Sequence, residues 1–175
     1  MTLSRERMIM VTAGVVAFVL IGYAIWLVLN PTSSYAGLVT THEVQMDAAT
    51  REYFEERLAT TQAAIVAAQA AGQEIDLNWY LSAASDAYAL GDLVTAREML
   101  EVQLAGNSIN YVAWNNYALV LDLMGDLNKA EDAFKQTLEI ETGIQKYYLD
   151  YAEFLQARYP ERRDDLKAVI EQQRE

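Results

Sequence analysis

GDLNKAEDAF, residues 125–134, repeats in outline a stretch that the chain has already used, GDLVTAREML, residues 91–100, and the two lie 34 positions apart. Seven residues of the first copy, Tyr80, Ala83, Ala84, Ala87, Gly91, Ala96 and Leu100, fall in register with Trp114, Tyr117, Ala118, Leu121, Gly125, Ala130 and Phe134. In each copy a large residue opens a first helix, a small one stands where two helices must cross closely, and glycine closes the helix. An alanine and then a bulky residue follow at helical spacing in a second helix. A fixed period of this length is the mark of stacked helix–turn–helix units, each too small to bury its apolar face alone.

The pattern resembles the tetratricopeptide repeat (TPR), a 34-residue helix–turn–helix unit with W, L, G, Y, A and F at set places. The second copy carries Trp114, Gly125, Ala130 and Phe134; it departs at Ala118, where the family most often has glycine, at Leu121 in place of tyrosine, and at Thr142, where a closing proline is absent. A third copy starts near Gln145 with Tyr148, Tyr151, Ala152 and Leu155. Its turn carries Tyr159-Pro160 instead of glycine, and Asp164 takes the small crossing position, so its second helix reads as a solvated terminal cap. The repeats are expected over about 77–110, 111–144 and, in part, 145–175. Before them Asp47 is placed to cap a long helix with Phe54, Leu58, Ile65 and Ala68 on one stripe, ending at Gly72. The expected class is all-α: a small TPR solenoid over 47–175 behind a single N-terminal transmembrane helix.

That helix is read from Met8 to Leu29, 22 residues without a charge. As a helix they span about 33 Å, against roughly 30 Å of hydrocarbon. Arg5 and Arg7 precede the run, and the next lysine or arginine is Arg51, which orients residues 1–7 to the cytoplasm and the domain outside. A cleaved signal peptide ending at Ala36 is the competing reading, but the apolar run is longer than the usual stretch of about 7–15 residues. Asn30-Pro31 ends the helix, and residues 30–46 read as linker. The expected location is the inner membrane, single-pass, with an extracytoplasmic (periplasmic) domain.

Composition narrows the function. The chain has 13 Lys and Arg against 25 Asp and Glu; beyond residue 30 the balance is 11 against 24, a net charge of −13. A surface so acidic repels phosphate backbones, which argues against nucleic-acid binding and favours basic partners. There is no cysteine and a single histidine, His42, so thiolate chemistry and Cys/His metal sites have no material. Adjacent acids such as Glu55-Glu56 or Glu131-Asp132 diverge on a helix and serve solvation better than acid–base catalysis. Neither an enzyme, a cofactor nor a small-molecule substrate is expected.

The resemblance implies a groove lined by the first helices that takes segments of other proteins. Its positions are Asn78, Leu81, Ser85 and Tyr88 in the first unit, Asn115, Leu119 and Asp122 in the second, and Lys146, Leu149, Glu153 and Gln156 in the third. Some TPR proteins clamp a C-terminal carboxylate; here Asn116 and Lys146 fit, whereas Leu81, Ser85 and Asp150 occupy the other places, and Asp150 repels a carboxylate. The layout is similar to that of bacterial TPR subunits of the Sec translocon and of cytochrome c maturation. It implies a membrane-anchored scaffold or assembly factor that binds protein partners of a membrane or envelope complex. The alternative is a constitutive small subunit of a larger membrane complex.

Overall fold

A computed structural model describes residues 35–172 of the chain. The membrane helix expected over 8–29, the segment 1–7 and the last three residues lie outside them. Among the described residues are seven α-helices: α1 (Ala48–Ala70), α2 (Leu77–Leu90), α3 (Leu93–Gly106), α4 (Tyr111–Met124), α5 (Leu127–Ile140), α6 (Gln145–Arg158) and α7 (Arg163–Gln172). The pairs α2/α3, α4/α5 and α6/α7 form three consecutive antiparallel hairpins, and α1 packs on α2. No helix among the described residues is long and apolar enough to cross a membrane.

Local chemistry sets the boundaries. Asp47, Asp76, Asp92 and Asn110 each accept a backbone N–H in the first turn of α1, α2, α3 and α4. Asp126, by sequence the counterpart of Asp92, makes no such bond with α5; its carboxylate is 2.9 Å from the Lys129 ammonium instead. Gly91 and Gly125 close α2 and α4 with φ of 80° and 85°, the left-handed conformation that costs other residues about 1–2 kcal/mol.

The repeat register is the packing register. Ala84, Ala118 and Ala152 are buried where the hairpin helices cross, with Ala87, Leu121 and Leu155 one turn on. Leu100 and Phe134 fill the space that those crossings leave. The C-terminal core is aromatic: Phe134 stacks on Tyr151 at 5.6 Å and meets Phe154 at 5.2 Å. Asp164 is exposed, and Val169 is the only buried residue of α7, which matches a terminal cap with a solvated outer face.

Two polar devices join units. The Asp86 carboxylate, with no solvent exposure, is gripped by the Arg57 guanidinium of α1, whose Nε lies 2.8 Å and 3.0 Å from the two oxygens. Glu131 receives two bonds from Arg162, at 2.8 Å and 2.9 Å, and one from Lys135 at 2.7 Å. These pull its carboxyl down to about 2, Arg162 contributing most, against the opposing effect of burial.

Residues 38–46, expected as part of a linker, do not run free. Val39 N–H donates to Met124 O (2.9 Å), His42 N–H to Gly91 O (2.8 Å), and Leu93 N–H to Thr40 O (3.2 Å). Thr41 and Asp92 form a single antiparallel bridge. The segment is thus an extended strap across the ends of α2 and α4. Gly91 therefore has two reasons to be glycine, because a Cβ there would stand 1.8 Å from the His42 carbonyl oxygen.

Two outcomes check this account. Gly91→Ala should destabilise by about 2–4 kcal/mol and speed amide exchange at Val39 and His42; Gly125→Ala, where a Cβ meets nothing, should cost only about 1 kcal/mol and leave the strap protected. Because Glu131 has a depressed pKa in the folded state, its contribution is complete above pH 4.5 and fades as pH falls toward about 2. Arg162 and Lys135 are partly solvated, which reduces that contribution to about 1–2 kcal/mol. Urea titrations should show Glu131→Gln less stable by that amount at neutral pH and equal to the parent near pH 2.

Candidate functional site: the face of the first helices

Of the first helices α2, α4 and α6, the last two are bridged by polar contacts at two levels. Asn115 Nδ2 on α4 donates to Asp150 Oδ2 on α6 at 2.8 Å, and Arg158 Nε at the end of α6 donates to Asp122 Oδ1 on α4 at 2.6 Å. Lys146, one turn before Asp150, also reaches its carboxylate. Between α2 and α4 the face opens into a pocket of about 100 Å³ lined by Ala84, Ser85, Tyr88, Leu100, Asn116, Leu119 and Val120. Its floor is aliphatic and its rim carries one hydroxyl, one phenol and one amide.

Of the residues expected in the groove, Ser85, Tyr88 and Leu119 line this pocket. Ser85 is exposed, its hydroxyl donating to Leu81 O at 2.9 Å, and Tyr88 is 38% exposed. Leu81, Leu119 and Asp122 are half-buried, while Asn78, Lys146, Leu149, Glu153 and Gln156 are exposed. Leu149 is 45% exposed, an unusual position for leucine on a helix of this core. Gln156 also lines a separate cleft with Tyr159, Pro160, Arg162, Arg163 and Leu166.

Asn115 differs from the expectation. It is only 1% exposed, held beneath the face by Asp150, so it presents no amide to the surface. Its Oδ1 is buried without a protein donor. Residues outside the expected groove set are Arg158, the cross-helix partner of Asp122, and Ala84, Leu100 and Val120, the pocket floor; Asp150, expected only as a residue that repels a carboxylate, is the partner of Asn115. Pairs such as Asn115 with Asp150 or Asp122 with Arg158 stand 35 and 36 positions apart. They follow from the repeat period only once the two helices are known to be neighbours.

The electrostatics are local and paired. The Tyr88 phenol is raised above its ordinary range, first by burial and then by the charges of Asp122 and Asp150. Among the described residues no group of three or more His, Asp or Glu is arranged to hold a metal ion. His42 sits in the strap, where its backbone does the bonding.

No family model matches the chain, and no curated protein does. Among solved structures it is similar to two crystal structures of MamA. One superposes with a TM-score of 0.51 at 21% identity, over 56% of this chain and 52% of that one. The other superposes with a TM-score of 0.53 at 16% identity, over 74% of this chain and 94% of that one. The fold is of the TPR type. The chain spans about half the length of the first of those structures.

The bridge through Asn115 makes a stability prediction. Asp150→Ala strands a buried amide and should cost about 1–3 kcal/mol in urea unfolding. Lys146→Met removes an exposed ion pair and a contact with the Tyr147 ring at 5.7 Å, and should change stability by less than about 1 kcal/mol.

Proposed function

We propose that the protein is a membrane-anchored scaffold or assembly factor, which holds its TPR-type domain on the extracytoplasmic side and recruits other proteins through the face of α2, α4 and α6. The observation that carries this reading is the open pocket between Ser85, Tyr88, Asn116 and Leu119, continued along the face by the exposed Leu149. Apolar side chains on an otherwise polar, acidic surface, set in a concavity with polar atoms at its rim, suit an extended segment of a partner. The uncharged run of residues 8–29 and the basic residues before it support the anchor and its orientation.

A second reading, a permanent subunit of a larger membrane complex, is favoured by the outer side of α1. Ala59, Ala63, Val66 and Ala70 are exposed there at helical spacing, a surface suited to close packing against another helix. Photo-crosslinking in native membranes distinguishes the two. A photoreactive residue at Leu149 should give a discrete adduct that Ser85→Phe abolishes, while one at Val66 should give none. Adducts at Val66 that Ser85→Phe leaves unchanged would support the permanent subunit. Release of the full-length chain by alkaline extraction would remove the anchor from either reading.

A further inference from the structure

We propose that the segment bound on this face is basic: an apolar side chain enters the pocket between α2 and α4, and a lysine or arginine next to it takes the place of Lys146 on Asp150. The inference rests on the reading of this face as a binding surface and adds the chemistry of what it binds.

Of the acidic side chains engaged in cross-unit contacts, Asp150 is the one whose cation is readily exchanged. Asp86 is sealed under Arg57, Glu101 is held by the Tyr117 hydroxyl and by Arg97, whose side chain is only 10% exposed, and Glu131 is held by Arg162, Lys135 and the Tyr151 hydroxyl. Asp122 is paired with Arg158, which reaches across from the neighbouring helix. Asp150 is oriented from below by the buried Asn115 amide and covered from above by Lys146, whose side chain is 64% exposed and comes from the same helix. A lysine in that position keeps its solvation when it lets go, so replacing it with a partner's cation exchanges one exposed ion pair for another. The carboxylate meanwhile stays aimed, because its bond to Asn115 is independent of Lys146.

Two further observations bring the carboxylate and the pocket into one site. Asn115, which aims the Asp150 carboxylate, adjoins Asn116 and precedes Leu119 by one turn on α4, and both of those line the pocket; the Tyr88 phenol in the pocket wall feels the charges of Asp122 and Asp150 as well. Beyond residue 30 the chain carries a net charge of −13, which draws basic segments from beyond contact distance and repels acidic ones. The same arrangement disfavours a C-terminal carboxylate, which would meet Asp150 and Asp122.

The test pans a phage-displayed library of random dodecapeptides against the immobilised full-length chain in mild detergent. Recovered sequences should share an apolar residue beside a lysine or arginine, and synthetic copies should bind more weakly as salt rises. Ser85→Phe should abolish their binding. Asp150→Asn, which keeps an acceptor for Asn115, should weaken it about tenfold. Lys146→Met, which removes the competing cation, should strengthen it about threefold. Acidic peptides whose affinity falls with Lys146→Met would overturn the basic-segment inference and leave the binding face standing. Recovery of no peptide, or only of peptides indifferent to Ser85→Phe, would overturn both.

Discussion

Where α2 crosses α3 and α4 crosses α5, the side chains at the crossing are single methyl groups, Ala84 and Ala118, and both are sealed from solvent. Interiors pack at crystal-like density, so an added methylene there has nowhere to go without parting the helices. The bulky partners depend on this approach. Leu100 and Phe134 are sealed in the wedge that two closely crossed helices leave open. The hairpins in turn set how far apart the first helices stand, and hence the depth of the pocket between α2 and α4. Where the rule lapses the structure loosens: the third unit keeps Ala152 but carries Asp164 at the second small position, and α7 buries only Val169.

The fold was legible because this constraint recurs at a fixed interval and few residue types satisfy it. The face of the first helices was half legible. Helical register places Ser85, Tyr88, Leu119 and Leu149 on it, but register says nothing of what a neighbouring helix lays over a given position. Asn115 has the right register and is covered all the same. Asp86 shows the converse: its counterparts one and two repeats on are Val120 and Phe154, both buried, so periodicity marks an apolar place that this chain fills with a carboxylate. The substitution makes sense only beside Arg57, from a helix that precedes the repeats. The strap was not legible, because backbone bonds carry no side-chain signature, and the one residue that registers its presence, Gly91, already had a reason to be glycine.

The scarce cations are placed with economy. Arg57, Arg158 and Arg162 each reach an acid on another helix, tying α1 to α2, α6 to α4 and the α6–α7 turn to α5. Guanidinium suits such seams, since its planar fork grips a carboxylate from more than one direction. Each of these arginines cancels one carboxylate at a seam, so the excess of acid over base remains as unpaired carboxylates elsewhere on the domain. Cohesion between units thus uses few of the domain's acids.

The strap has a mechanical consequence. Any pull on the chain upstream of Leu38 arrives first at Val39 and His42, whose amides are bonded to Met124 and Gly91, and only then at α1. The load passes into the turns of the first two hairpins, at the seam that Ala84 and Ala118 hold shut, and α1 with its Arg57 clamp lies beyond the point of attachment. A tethered domain wired in this way resists being peeled from its N-terminal helix, which is the end that a tether would otherwise unzip first.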